Sequence, residues 1–172
     1  NRQRALRRRA MPEALDKEVA RAARENKPIS VVIMDLDLFK QFNDTFGHKC
    51  GDVMLQALAT FLTQNTRGGD IVCRYGGEEF VILMPNTTLE IAWERAEMWR
   101  ATYQSTVTEY RGHSLSATFS AGVAGYPFHG LDGEAILYAA DQALYQSKNE
   151  GRNRVTIFKN ETDTNKSILE TS

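Results

Sequence analysis

The chain has 172 residues, with 21 Lys and Arg against 22 Asp and Glu and a formal net charge of −1. That length fits one domain with a hydrophobic core of its own, and the balanced charge lacks the basic excess of a general nucleic-acid binder. Two cysteines, Cys50 and Cys73, without a CxxC pair provide neither a disulfide framework nor a zinc site; no apolar run approaches the roughly 20 residues that span a bilayer, so the expectation is free thiols in a reducing cytoplasm and no membrane contact.

Met11, Ala14, Leu15, Val19, Ala22 and Ala23 recur at helical spacing, which predicts an amphipathic leading helix over residues 7–26. Arg2, Arg4, Arg7, Arg8 and Arg9 cluster at its start and read as a solvated face, or as a contact for an anionic partner. Ile29-Ser30-Val31-Val32-Ile33-Met34 has the β-branched apolar pattern of a central strand buried on both faces. It ends in Asp35-Leu36-Asp37, where an open sheet presents its ligands, and carboxylates there point to a metal site. Gly47 stops a first short helix, and a second one turns Leu55, Leu58, Ala59 and Leu62 inward with Asp52 available as its cap. His48 taken alone reads as a hydrogen-bonded loop residue.

Thr66-Arg67-Gly68-Gly69-Asp70 is a turn that leads into a strand from Ile71. Residues 73–84 read as strand, tight turn, strand, with Gly76-Gly77 as a two-residue hairpin loop that uses the positive φ open to glycine. Glu78 and Glu79 follow directly, and alternation along a strand sends them to opposite faces, so one of them should face a site at the hairpin tip. After a turn at Pro85-Asn86-Thr87, Leu89, Ala92, Trp93, Ala96, Trp99 and Tyr103 describe the buried stripe of a long helix. Ser114 to Tyr126 alternates, as one half-exposed antiparallel strand would. A helix from about Gly133 to Lys148 and a strand from Val155 to Phe158 complete the set, and the polar stretch from Lys159 to Ser172 reads as a disordered tail. The order βααββαβαβ after a leading helix is that of an α+β fold, with helices packed on one side of a mainly antiparallel central sheet.

Asp35-Leu36-Asp37-x-Phe39-Lys40-x-x-Asn43-Asp44-x-x-Gly47-His48-x-x-Gly51-Asp52, followed by Gly76-Gly77-Glu78-Glu79-Phe80, resembles the GGDEF-domain diguanylate cyclases in the GGEEF form of their signature. The resemblance runs from about Pro12 to Phe158. It implies the fold of class III nucleotidyl cyclases and polymerase palms, a catalytic domain with its leading helix over residues 1–160, and a disordered tail over 161–172. It also implies a bacterial second-messenger transferase that binds GTP and condenses two GTP into cyclic di-GMP and two pyrophosphates, as a homodimer of half-sites. Chains of this family commonly begin with a sensory or receiver domain, so an excised output domain is expected here.

The resemblance assigns residues as well. Mg²⁺, or Mn²⁺, would be held by the Asp35 carboxylate, the Leu36 carbonyl and Glu78, with Glu78 also the proton acceptor and Glu79 able to share either role. The backbone at Phe39 and the Lys40 ammonium would meet the phosphates, while Lys148 and Arg152 grip the triphosphate from the other side; a cationic helix C-terminus is the plainer reading of that pair. Asn43, His48 and Asp52 would form the guanine pocket, Asp52 offering only acceptors to the N1–H and exocyclic amine. Arg67 and Asp70 match the family's RxxD product-inhibition site. Met98 stands where a further arginine is expected from the next helix; Arg95, one turn earlier, is the substitute, and Arg100 points elsewhere. The alternatives are a catalytically weak cyclic di-GMP receptor module, another metal-dependent phosphoryl-transfer enzyme on a related sheet, and a structural or interaction domain in which the motif residues are only caps and turns.

Overall fold

The computed structural model describes residues 8–160. Seven strands form, β1 (Ile29–Leu36), β2 (Ile71–Arg74), β3 (Glu79–Pro85), β4 (Thr108–Tyr110), β5 (His113–Leu115), β6 (Phe119–Tyr126) and β7 (Val155–Ile157), with helices α1 (Met11–Glu25), α2 (Phe39–Phe46), α3 (His48–Asn65), α4 (Leu89–Gln104) and α5 (Gly133–Asn149) between them. The central sheet has the order β2-β3-β1-β6-β7, antiparallel except where β7 joins β6 in parallel. The architecture is α+β with a mainly antiparallel sheet flanked by helices, as the sequence implies.

β1 lies in the middle because every one of its residues is buried. Val32, Met34 and Leu36 face a core shared with α3 and α4, whereas Ile29, Val31 and Ile33 face a second core under α1 and α5. Helices therefore cover both faces of the sheet, which corrects the expectation that they pack on one side. A strand buried on both faces is also what makes a continuous apolar run favourable here.

Residues 114–126 do not form one strand. Arg111 (φ 47°) and Gly112 (φ 79°) close a small hairpin of β4 and β5, and the chain breaks before β6 starts at Phe119. β6 is buried on both faces up to Gly125 and is not half-exposed. The cause is Gly122: a Cβ there would lie 2.2 Å from the Ala140 carbonyl oxygen and from the Leu144 nitrogen, so α5 rests directly on the strand backbone. Ser147 Oγ then donates to the Ala121 carbonyl at 2.8 Å. These contacts set the C-terminal end of α5 beside the end of β1.

Smaller differences have local causes. The leading helix starts at Met11 after a 3₁₀ turn, later than residue 7, and ends where Asn26 takes a left-handed φ of 52°. Thr88, one residue past the expected turn, caps α4 through its Oγ1 and the Ile91 N–H. Trp99 is buried, but Trp93 sits at the edge of the stripe, where its Nε1–H donates to the Val155 carbonyl at 3.0 Å. Residues 161–172, with the tail expected there, lie outside the described residues, as do Arg2, Arg4 and Arg7 of the basic cluster.

Candidate active site

The end of β1 carries the first group of candidate residues. Asp35 is 7% exposed, and its Oδ2 accepts from Lys148 Nζ at 2.5 Å. The lysine of α5 thus crosses to the sheet and does more than complement its own helix dipole. Asp35 Oδ1 is buried without a hydrogen-bond partner. An orphaned carboxylate oxygen in such a place is costly unless a cation meets it, so the position fits a hard divalent metal with oxygen ligands. Glu78 and the Leu36 main-chain oxygen would complete a donor set of two side chains and one carbonyl; among the described residues no group of three His, Cys, Asp or Glu side chains is placed to hold a metal.

Electrostatics agree with that fit. Burial pushes the Asp35 carboxyl above its ordinary value of 3.8, Lys148 opposes the rise and the neighbouring Asp37 adds to it. Glu78 is also raised, by burial first and then by the charge of Asp35, with Lys148 again opposing. Because both folded-state values lie above the unfolded ones, the two groups contribute most to stability below their unfolded values, and that contribution is lost as pH rises through the raised ones. Metal-free protein should therefore melt progressively lower as pH climbs from about 4 through this window. Asp35→Asn should flatten the trend and melt above the unsubstituted protein at neutral pH; thermal melts across pH in the presence of a chelator measure this.

Asp37, two residues on along the same face, serves a different purpose. It accepts from Thr118 Oγ1 at 2.7 Å, Ser120 Oγ at 2.6 Å and the Asn153 N–H at 3.0 Å. These bonds tie β1 to β6 and to the turn after α5, where Arg152 adopts a φ of 63°. Arg152 is exposed at that turn, close to the end of β1. The sequence counts Asp37 with Asp35 among the strand-end carboxylates that point to a metal site; in the structure both of its oxygens are taken by these three donors. Arg100 joins the same turn from α4, donating to Asn153 Oδ1 at 2.8 Å while it pairs with Glu97.

Beyond Asp37 the chain reverses at Leu38, whose φ of 56° is strained for a residue with a Cβ. α2 then begins at Phe39, so its first amide groups, which have no acceptor within their own helix, open at the end of β1 with Lys40 exposed beside them. That is an anion-binding arrangement.

The hairpin differs from its expected form. Gly76 and Gly77 do not adopt positive φ; the loop between β2 and β3 spans four residues, 75–78, and closes by Tyr75 and Gly76 N–H bonds to the Glu79 carbonyl at 2.8 and 3.2 Å. Arg74 clamps it, with Nε at 3.1 Å and Nη2 at 2.6 Å from the Gly77 carbonyl. A Cβ on Gly77 would meet no heavy atom within 4 Å, so neither backbone angle nor internal crowding requires a glycine there. The Glu78 carbonyl accepts from Leu36 N–H at 3.4 Å, which brings the turn to the end of β1 beside Asp35. Glu79 lies on β3 directly opposite Asp35 and lines a cleft of about 560 Å³ with Pro12, Ile33 and Leu137, on the α1 and α5 side.

The second group lies across the sheet. Asp52 is inside α3, which starts at His48 with Gly47 (φ 88°) as N-cap, so Asp52 caps nothing. Its side chain instead lines a cleft of about 310 Å³ with Leu55, Gln56, Val72, Arg74 and Phe80. Asn43 Oδ1, on α2, is buried and unpartnered, and a Cβ on Gly51 would fall 1.8 Å from it, so only glycine leaves room for that side chain. His48 is exposed at the start of α3 and does not line the cleft.

The third group precedes β2, at the end of that strand away from the hairpin loop. Asp70 Oδ2 accepts from the Arg67 N–H at 2.8 Å and from Arg95 Nη2 at 2.6 Å. Arg67 itself is exposed, and Met98 is 57% exposed on α4.

Comparison with known proteins places the chain in a family. A family described as "Diguanylate cyclase, GGDEF domain" matches residues 6–154. Diguanylate cyclase A of Treponema denticola is 40% identical over 136 residues, 79% of this chain and 37% of that protein, and the response regulator PleD of Caulobacter vibrioides is 44% identical over 150 residues, 86% and 33% respectively. The chain spans about a third of the length of these relatives. Among solved structures, the active GGEEF domain of a diguanylate cyclase from Vibrio cholerae superposes with a TM-score of 0.84 at 33% identity, covering 92% of this chain and all of that one. The GGDEF domain of DgcB from Caulobacter crescentus, in complex with c-di-GMP, gives 0.83 at 33% identity over 88% and 87%. No described helix is long and apolar enough to cross a membrane. With a family match over most of its length and a palm-like sheet that brings Asp35 at the end of β1 beside the Gly76-Gly77-Glu78-Glu79 turn, the chain belongs to the GGDEF-domain diguanylate cyclase family.

Proposed function

We propose that this chain is a diguanylate cyclase domain that joins two GTP into cyclic di-GMP as a homodimer of half-sites, with Mg²⁺ as its metal. The observation that carries the reading is the unpartnered, buried Asp35 Oδ1 beside Glu78 and Lys148. Asp35, Glu78 and the Leu36 carbonyl would hold the metal, which when bound supplies positive charge to the triphosphate and acidifies the attacking hydroxyl.

In each half-reaction a 3′-oxygen of one GTP forms a bond to the α-phosphorus of the other, the α–β bridging P–O bond breaks, and pyrophosphate leaves. Glu78 takes the proton of the attacking hydroxyl, a task for which a raised pKa makes it a better base than an ordinary surface carboxylate. Lys40 and the first amides of α2 hold the phosphates from one side, and Lys148 and Arg152 from the other. Asp52 reads the guanine with Asn43, while His48, outside the cleft, has no such part. Arg67 and Asp70 form a separate site for the product; the alternative, a weakly active receptor module, would keep that site alone.

Purified protein incubated with Mg²⁺ and either GTP or ATP should yield cyclic di-GMP from GTP only, at a specific activity that rises with protein concentration as monomers pair. No cyclic dinucleotide at any concentration would overturn the reading. Arg74→Ala tests the turn clamp: loss of two bonds to the Gly77 carbonyl should lower kcat about tenfold with little change in melting temperature. Steady-state kinetics and a thermal melt of the same preparation check it.

A further inference from the structure

Asp70 is placed to accept from a guanine, but one of its oxygens is already filled. Oδ2 takes the Arg67 main-chain N–H at 2.8 Å and Arg95 Nη2 at 2.6 Å. A carboxylate oxygen has two lone-pair sites, so Oδ2 is saturated. Two-point recognition of guanine, through N1–H and the exocyclic amine, needs an open position on each of the two oxygens. Arg95 therefore has to let go before Asp70 can read a base in that way.

Arg95 is held in a place that favours release. The residue is 8% exposed, its guanidinium lies over the Trp99 ring with 5.2 Å from Cζ to the centroid, and its Nη1 is buried with no hydrogen-bond partner. A buried pair that leaves one guanidinium donor unsatisfied has an uncompensated desolvation penalty, unlike a pair satisfied on all sides. One turn along α4, Met98 brings no charge to the same face.

We infer that Arg95 is an internal competitor of the product at Asp70, which lowers the sensitivity of this domain to feedback by cyclic di-GMP. The inference rests on the reading of Arg67 and Asp70 as the product site. While Asp70 is paired with Arg95, only the minor unpaired fraction binds, and the apparent dissociation constant is larger by the inverse of that fraction. Arg95 thus opposes binding at a position from which a cation would otherwise be expected to assist it.

Calorimetric titration of the 172-residue chain with cyclic di-GMP tests this in three proteins: unsubstituted, Arg67→Ala and Arg95→Met. Methionine keeps an apolar contact with Trp99 and removes the donor. Arg95→Met should bind about tenfold tighter than the unsubstituted chain, and Arg67→Ala should lose binding. Unchanged or weaker binding by a folded Arg95→Met overturns the competition and leaves the product site standing. Absence of binding in the unsubstituted protein and in Arg95→Met overturns both. A second measurement needs no variant: the Arg95 side-chain NMR signals, displaced by the Trp99 ring current, should move toward unstacked positions as product is added. If they stay in place while product binds, the inference fails even where Arg95→Met does not fold.

Discussion

Glu78→Gln is expected to reduce cyclic di-GMP formation by at least about a thousandfold, because one substitution removes both a metal-binding charge and the proton acceptor. The fold should survive. What holds the turn is main-chain and arginine bonding, the Leu36 N–H to the Glu78 carbonyl and Arg74 to the Gly77 carbonyl, and neither uses the Glu78 side chain. Burial and the Asp35 charge disfavour the Glu78 carboxylate in metal-free protein, so a neutral amide of the same shape should melt no lower. Glu79→Gln is the natural comparison. That residue lies on β3 facing the α1 and α5 cleft and not in the turn, and its substitution should cost activity much less. Initial rates at saturating Mg²⁺ and GTP, with a melting curve for each variant, decide the matter. Near-normal turnover by folded Glu78→Gln would remove the metal and base assignments together, and a larger loss for Glu79→Gln would exchange the two roles.

How far the sequence disclosed this depends on whether a signal is local. β1 was legible because six successive apolar or small residues ending in Asp-Leu-Asp admit few readings other than a buried strand with ligands at its end. β6 was not, because Ser120, Gly122 and Ala124 look like the solvent side of an alternating strand. Gly122 is small because α5 rests on it, and Ser120 gives its hydroxyl to Asp37, contacts that only the three-dimensional structure reveals. Gly76-Gly77 was read through φ, yet the loop is longer and is closed by Arg74 from the preceding strand. Asp52 was read as a possible cap because helix starts are poorly defined in sequence, and a start four residues earlier at His48 leaves the carboxylate free to line a cleft. The Asp70–Arg95 pair joins residues 25 apart on different elements. Helical spacing placed Arg95 on about the face of Met98 but said nothing of its partner.

Asp52→Asn carries the second large effect, and the geometry separates it from any role in folding. Asp52 neither caps α3 nor lies in the core; it is an exposed carboxylate at a cleft of about 310 Å³ whose walls include apolar Leu55, Val72 and Phe80 and polar Gln56, Thr63 and Arg74. Apolar walls beside the Asp52 acceptor pair suit the flat face and donor edge of a guanine. Replacing one carboxylate oxygen by an amide turns an acceptor into a donor that faces guanine's own N–H groups. A mispaired polar contact of this kind, desolvated once the nucleotide is bound, costs roughly 2–4 kcal/mol, or about 30- to 1000-fold in kcat/KM for GTP. Melting temperature and the Mg²⁺ concentration for half-maximal rate should barely change, since on the proposed reading Asp35 and Glu78 would serve the phosphate end of the nucleotide and not its base. ATP brings an acceptor at N1 and a donor at N6, so discrimination between the two nucleotides should narrow as GTP use falls. Kinetics with each nucleotide on the same preparation measure both. An unchanged kcat/KM for GTP would reduce Asp52 to a solvated residue of α3 and would move the base-reading site to Asn43, whose Oδ1 is buried without a partner.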